Sequence, residues 1–316
     1  MKKSGNSVES FVKMQKKQVG MVSNSSVVGF LKACNSNTYS DSIIEGRLVH
    51  GKIIEEGREL DVYIGSILID IYSKSQCVTD AEFVFRGLGS RKNLISWGAL
   101  INGYVRNGQE MRVFKLLDEI IQEGIQPNEP ILVSSLKACG NLHLLKQSRK
   151  LHDLIIKIDL SSNVRVGNKL IDVYAKCGFL LKSQEVFDEI PIRDVVSWTT
   201  LITGYAEYQY YKEALACFEQ MQLEGISPDP VTFICILGVC SSLGDTDKAH
   251  HIHAEIELKG FSEKDLVLSN TLINTYAKLG LLIAAQYVFD CLQTHDGVSW
   301  TTLIVGYAEN AQGEEA

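Results

Sequence analysis

The sequence predicts an all-α solenoid, a stack of helix-turn-helix repeats, and three observations carry that prediction. A nine-residue segment recurs at one long period. Apolar residues within it stand at helical spacing. All five prolines (127, 130, 191, 228 and 230) fall at junctions between periodic stretches.

The recurring segment is Ser96-Trp97-Gly98-Ala99-Leu100-Ile101-Asn102-Gly103-Tyr104, repeated as Ser197 to Tyr205 and Ser299 to Tyr307. Two further families share its period of about 102 residues. Leu68-Ile69-Asp70-Ile71-Tyr72-Ser73-Lys74 returns at Leu170 to Lys176 and Leu272 to Lys278; Leu31-Lys32-Ala33-Cys34 returns at Leu136 to Cys139 and, degraded, at Leu237 to Cys240. Three interleaved families on one period mean a three-part supermotif, and such self-similarity is the signature of a repeat architecture. It overrides the two domains that length alone suggests.

The junctions set the register. Gly124-Ile125-Gln126-Pro127-Asn128 and Gly225-Ile226-Ser227-Pro228-Asp229 read as helix stops, glycine at the C-terminal cap and proline just beyond. Cutting there gives full units 24–61, 62–93, 94–128, 129–163, 164–194, 195–229, 230–265 and 266–296, with 1–23 and 297–316 as partial units. Within a unit the pattern is two amphipathic helices. Trp198, Leu201, Ile202 and Tyr205 form one stripe, Tyr208 to Tyr211 break it, and Ala214, Leu215, Phe218 and Met221 form the second. Helices of about 12 residues are not stable alone in water, so each unit must bury its stripes against its neighbours. At the start, Phe11-Val12-Lys13-Met14 matches Phe218-Glu219-Gln220-Met221, a second helix without its first; at the end, a first helix stands without its second. The expectation is a piece of a longer array that exposes Phe11/Met14 and Leu303/Tyr307 at its ends.

Composition excludes other classes. The chain has 316 residues, 45% hydrophobic and 22% charged, enough apolar surface to fold. A net charge of −7 argues against a nonspecific polyanion binder, while leaving a partner read by hydrogen bonds. No apolar run nears the roughly 18 residues of a membrane span. The eight cysteines form no C-x-x-C pair and read as reduced, buried small hydrophobes. No Gly-rich phosphate loop and no H-E-x-x-H is present. His253-Ala254-Glu255 matches the H-x-E of zinc deaminases, but the P-C-x-x-C that would complete that site is missing. His250-His251-Ile252-His253 has no ligand partner at metal spacing, and His50, His152 and His253 follow the repeat frame as packing or surface positions. Catalytic residues, metal ligands and cofactors are therefore not expected.

Two repeat families have helix-turn-helix units near 34 residues. Trp198, Leu201, Tyr205, Ala214 and Phe218 fall close to the tetratricopeptide landmarks, but Ile101, Ile202 and Ile304 stand where that pattern has glycine. Unit lengths also cycle through 35, 36 and 31, as in 195–229, 230–265 and 266–296. That cycle, with V-S-W-x-x-L-I-x-G-Y, L-K-A-C…LH and N-x-L-I-D-x-Y-A-K-C-G, resembles the pentatricopeptide repeat family of land plants, in the subclass whose repeats alternate as P, L and S types. Units 94–128 and 195–229 are then P; 24–61, 129–163 and 230–265 are L; 62–93, 164–194 and 266–296 are S. Units 24–61 and 62–93 depart by small insertions around Asn35 to Ser42 and Gly87 to Lys92. A tetratricopeptide-like protein-interaction scaffold is the alternative.

The resemblance implies a right-handed superhelix that binds single-stranded organellar RNA, one base per repeat. It implies that the fifth and last residues of a unit read the base while the second packs on the base plane. The reading pairs are Ser66 with Asn93, Gly98 with Asn128, Asn168 with Asp194, Thr199 with Asp229 and Asn270 with Asp296, with Thr301 in the last partial unit. The packing residues are Tyr63, Ile95, Arg165, Val196, Val267 and Val298. L units pair Val28 with Asp61, Val133 with Asn163 and Ile234 with Asp265; an aliphatic fifth residue cannot hydrogen-bond, so these units are expected to space rather than read. A carboxylate only accepts, so a terminal Asp favours the imino N–H of U or G, whereas an Asn amide can donate to the ring acceptor of A or C. A short fifth residue leaves room for a purine, and Asn suits a pyrimidine. With repeats parallel to the RNA, units 62–93 through 266–296 should prefer A-N-N-U-G-N-U, Gly98/Asn128 remaining open. The same resemblance implies a role in C-to-U editing or other processing, editing-complex proteins as partners, a mitochondrial or chloroplast location, and no membrane or small-molecule substrate. Lys-rich residues 1–23 hold one acid, Glu9, and no Arg.

Overall fold

The computed structural model describes residues 39–55, 61–261 and 265–310. The expectations for residues 1–23, Val28 and Cys34 lie outside them. Among the described residues there are sixteen α-helices, one 3₁₀ turn and no strand. The chain divides into two compact units, residues 1–160 and 161–316.

The first unit holds α1 (Tyr39–Glu55), α2 (Val62–Lys74), α3 (Val78–Gly87), the 3₁₀ turn Gly89–Arg91, α4 (Leu94–Arg106), α5 (Glu110–Gln122), α6 (Glu129–Asn141) and α7 (Leu145–Lys157). The second holds α8 (Val164–Lys176), α9 (Leu180–Glu189), α10 (Val195–Glu207), α11 (Tyr211–Leu223), α12 (Pro230–Leu243), α13 (Thr246–Leu258), α14 (Leu266–Lys278), α15 (Leu282–Asp290) and α16 (Gly297–Asn310). In each unit the even-numbered helices pack in a row, α2 on α4 on α6 and α8 on α10 on α12 on α14 on α16. Each intervening odd-numbered helix wedges between its own first helix and the next. This is the all-α helical-repeat fold that the periodicity predicts.

Local chemistry sets the helix ends. Asp61, Asn93, Asn128, Asn163, Asp194, Asp229 and Asp265 cap α2, α4, α6, α8, α10, α12 and α14, each side chain accepting a backbone N–H of the first turn. Between the two helices of a repeat the chain reverses through one left-handed residue. It is glycine at 108, 178, 244 and 280, but Gln76, His143 and Gln209 adopt φ of 61°, 51° and 64° at the same place.

The recurring tryptophan packs on a recurring phenylalanine, in the core at Trp97 and Trp198 and at the surface at Trp300. Trp97 meets Phe85 edge-on with centroids 4.7 Å apart, Trp198 meets Phe187 at 4.6 Å, and Trp300 meets Phe289 at 4.7 Å. A basic side chain lies over each phenylalanine: Lys92 at 5.1 Å, Arg193 at 4.8 Å, and the His295 ring at 4.3 Å. The glycine of the nine-residue segment marks where adjacent first helices touch. A Cβ at Gly204 would lie 2.8 Å from the Ala175 Cβ, one at Gly306 2.6 Å from the Ala277 Cβ, and one at Gly103 would strike Ser73. Asn107 and Asn310 bind the same neighbours, donating from Nδ2 to the Ser73 and Ala277 carbonyls at 2.8 and 2.7 Å.

Two expectations are corrected. Leu303 is buried; the exposed large apolar residues of α16 are Val298, Trp300, Ile304, Val305 and Tyr307, because Leu303 faces the α14–α15 side of the helix stack. The cysteines are not uniformly buried. Cys139 and Cys240 are, Cys77, Cys177, Cys217 and Cys235 are half-buried, and Cys291, at the C-terminal cap of α15, is exposed. Burial pushes the Cys240 thiol up to about 12 and the Cys217 thiol up to about 11. The repeat-frame histidines pack on tyrosines: His50 Nδ1 lies 3.1 Å from Tyr72 Oη, and His253 Nδ1 lies 2.9 Å from Tyr276 Oη. Among the described residues no cluster of His, Cys, Asp and Glu could hold a metal, and no helix is long and apolar enough to cross a membrane.

Candidate nucleic-acid interface

Within each compact unit, the second and fifth residues of a repeat and the last residue that caps the next first helix are brought together along the row of first helices, in repeats 62–93, 94–128, 164–194, 195–229, 230–265 and 266–296. The second residue of a first helix lies two positions after its cap and points away from the core: Tyr63, Ile95, Arg165, Val196, Val267 and Val298 are all exposed. The fifth residue lies one turn further, facing the next first helix, where Ser66, Asn168, Thr199 and Asn270 are buried and Gly98 is half-buried. The last residue is the cap of that next helix.

Two such places open into pockets, both within the second unit. One, of about 310 Å³, is lined by Val196, Thr199, Asp229 and Val231, with Lys176 and Glu207 on its rim. The other, of about 320 Å³, is lined by Val267, Asn270, Asp296 and Val298. Each is lined by two exposed valines and a polar pair, of which Thr199 and Asn270 are buried, Asp229 half-buried and Asp296 exposed. Val231 escaped the sequence reading because it opens an L unit; its signal is the shared second position, occupied by valine in three neighbouring helices.

The polar pairs are joined by hydrogen bonds. Asn168 Nδ2 donates to Asp194 Oδ1 at 3.1 Å, and Ser197 Oγ donates to Asn168 Oδ1 at 2.6 Å. Thr232 Oγ1 donates to Asp229 Oδ1 at 2.7 Å and lies 2.6 Å from Thr199 Oγ1. Ser299 Oγ donates to Asp296 Oδ1 at 2.8 Å, while Asn270 Oδ1 is buried with no partner. Elsewhere the pairs are not joined. Ser66 Oγ donates to its own helix at Val62 O, and Asn93 Oδ1 accepts the N–H groups of Ile95 and Ser96. Thr301 is exposed and donates to Gly297 O. At 94–128 Gly98 brings no polar group, and Asn128 accepts from the Ile131 N–H. Between Asp229 and Asp296 comes Asp265, which caps α14 through the Leu268 N–H behind an aliphatic Ile234.

The aspartates are held as acceptors. Burial raises Asp194, but hydrogen bonds led by the Ser197 N–H, with the Asn168 amide and the Val196 N–H, outweigh it and leave it below the ordinary carboxylate value. Asp296 is lowered first by the Ser299 N–H, then by its hydroxyl and the Asn270 amide. Nearby cations are matched by acids. Lys169 and Lys176 both reach Asp172, at 2.6 and 3.0 Å, and Lys74 reaches Asp70 at 2.9 Å. The surface thus presents acceptors and apolar walls rather than a basic stripe.

A family model described as PPR repeat matches residues 95–125, 168–195, 267–296 and 298–316, and a second, described as PPR repeat family, matches 193–242. The chain belongs to the pentatricopeptide repeat family. A pentatricopeptide repeat-containing protein of Arabidopsis thaliana is 33% identical over 271 residues, 86% of this chain and 39% of its own length. Another from the same plant, named as chloroplastic, is 32% identical over 290 residues, 92% of this chain and 46% of its own length. The chain spans less than half the length of these pentatricopeptide repeat relatives. Among solved structures, the pentatricopeptide repeat protein PPR10 in complex with an 18-nt psaJ RNA element superposes with a TM-score of 0.73 at 19% identity, covering 98% of this chain and 46% of that one. That likeness is one of fold.

Proposed function

We propose that this chain binds single-stranded RNA in a sequence-specific way, one base per reading repeat, with the fifth and last residues of a unit facing the base edge. The observation that carries the reading is the pair of pockets at Thr199/Asp229 and Asn270/Asp296. Each combines two exposed valines with a polar pair, an arrangement suited to stacking a flat base and hydrogen-bonding its edge. Family membership and the RNA held by PPR10 support it. The valines 196 and 231 sandwich one base, and 267 and 298 another; Tyr63, Ile95 and Arg165 serve the same role in their units. The alternation of P, L and S units, the spacing role of Val133/Asn163 and Ile234/Asp265, and the target A-N-N-U-G-N-U belong to this proposal. So do an organellar location, in keeping with relatives named chloroplastic, and service as the specificity part of an editing or other RNA-processing machine whose chemistry is done elsewhere.

Titration with a labelled RNA carrying A-N-N-U-G-N-U, and with the same RNA altered at its four specified bases, tests the reading. Tight binding to the first and weak binding to the second are expected. Equal binding to both, or none to either, refutes it and favours a protein-binding scaffold.

A further inference from the structure

The hydrogen bonds at the reading pairs run through a third side chain. Ser96, Ser197, Thr232 and Ser299 are each the third residue of a first helix, and all are buried. They follow Asn93, Asp194, Asp229 and Asp296, the units assigned a base. Where the next helix instead carries Ile131, Val166 or Leu268 at this place, the preceding unit is one with Gly98 or an aliphatic fifth residue.

We infer that this third-position hydroxyl is a positioning residue that fixes whether the fifth side chain offers the base a donor or an acceptor. The inference rests on the base reading proposed above, and it follows from counting protons. Asp229 is a carboxylate and can only accept, so the Thr232 hydroxyl hydrogen lies on the 2.7 Å contact to Asp229. Thr232 has no second hydrogen to give. The 2.6 Å contact between the two threonines must therefore be donated by Thr199. With its only hydrogen directed inward, Thr199 can only accept from whatever enters the pocket.

At the neighbouring pair the polarity is opposite. The 3.1 Å contact to Asp194 requires the amide nitrogen of Asn168 there, because its oxygen would face a carboxylate. Ser197 Oγ lies 2.6 Å from the Asn168 oxygen and 2.9 Å from Asp194 Oδ1; its one hydrogen goes to the shorter contact, because that oxygen can only accept, and Asn168 keeps its second amide hydrogen, a donor, beside a spare lone pair on its oxygen. At Asn270 the amide also donates to its aspartate.

These polarities separate the two bases that carry an imino hydrogen. Guanine places its N1–H beside the 2-amino group, two donors in a row, which match Asp229 and an accepting Thr199. Uracil flanks its N3–H with carbonyl oxygens, which match Asp194 and a donating Asn168. The choice between G and U is thus one of hydrogen-bond direction, relayed from the aspartate through the hydroxyl at Thr199 and set at Asn168 by the aspartate and the hydroxyl together, and not of side-chain size alone.

Inosine, which is guanine without the 2-amino group, tests this on the unaltered chain. RNAs with G, inosine or U opposite unit 195–229 are compared in binding titrations. Inosine should bind about fivefold more weakly than G, the worth of one neutral hydrogen bond, and Thr199→Ala should erase that difference. Thr232→Val should also reduce the G-over-U ratio about fivefold, while Thr232→Ser, which keeps the hydroxyl, restores it. If the parent prefers G over U but binds inosine as well as G, the relay is wrong and base reading stands. If the parent does not distinguish G from U at all, both fall.

Discussion

Gly204 and Gly238 are helix-interior glycines for which the same substitution should act with opposite sign. Ala in place of Gly in a helix ordinarily adds about 0.5–1 kcal/mol by restricting the unfolded chain. At Gly238, on α12, a new Cβ meets nothing within 4 Å, so Gly238→Ala should deliver that gain. At Gly204 the new Cβ would lie 2.8 Å from the Ala175 Cβ, where carbon atoms rest at roughly 3.5–4.0 Å. Helices α8 and α10 must part by about 1 Å, and overpacking of this kind costs about 1–3 kcal/mol. Net of the propensity gain, Gly204→Ala should lose on the order of 1 kcal/mol. Urea and thermal unfolding followed by circular dichroism read both signs against the parent. Ala175→Gly removes the opposing carbon, so in that background Gly204→Ala should become stabilising. If Gly204→Ala alone stabilises as much as Gly238→Ala, the close helix contact assigned to the recurrent glycine is wrong.

Three further outcomes are expected. Thr199→Asn, set against Thr232 and Asp229 as Asn168 is against Ser197 and Asp194, should move the preference at that unit from G toward U by roughly 1–3 kcal/mol, with little change at other positions; identical ranking of G and U by parent and variant contradicts this. The slope of log K against log salt should be shallower than about −3, since the chain carries −7 and Lys169, Lys176 and Lys74 face acids, whereas about −4 or steeper would mean six or more phosphate contacts and a dominant basic groove. Asp194 and Asp296 titrate below their ordinary value of 3.8, so their acceptor form and its contribution are fully present above that value and are lost only as pH falls beneath it. The U preference at units 164–194 and 266–296 should accordingly be constant from pH 8 to pH 5, and a loss near pH 6 would contradict the assignment.

The helical repeat was legible because periodicity is a one-dimensional signal. Trp198, Leu201 and Ile202 are buried together, as their i, i+3, i+4 spacing predicts. The positions of Val196 and Asp229 followed from family resemblance and one register. What lay between them did not. Ser197 stood in the recurring segment without a role and Thr232 was not singled out; that they bond Asn168 and Thr199 depends on how two first helices lie together. Gly204 read as a feature of the motif without a cause, since Ala175, its reason, stands 29 positions earlier. Leu303 was misplaced for a similar reason: both Leu303 and Ile304 fit an apolar stripe, and only packing in the stack separates them. Cys291 shows that composition cannot locate a residue beside a helix end.

The central claim is that neighbouring repeats read neighbouring bases in order, and exchanging two bases tests it most directly. Two RNAs of identical composition are compared, one with U then G opposite units 164–194 and 195–229, the other with G then U. Both carry the same charge, so phosphate contacts cancel. The account predicts weaker binding of the exchanged RNA by roughly 2 kcal/mol or more, the sum of two mismatched positions. It also predicts that the double variant Asn168→Thr with Thr199→Asn reverses the order of the two RNAs. Equal affinity of the parent chain for both would contradict it.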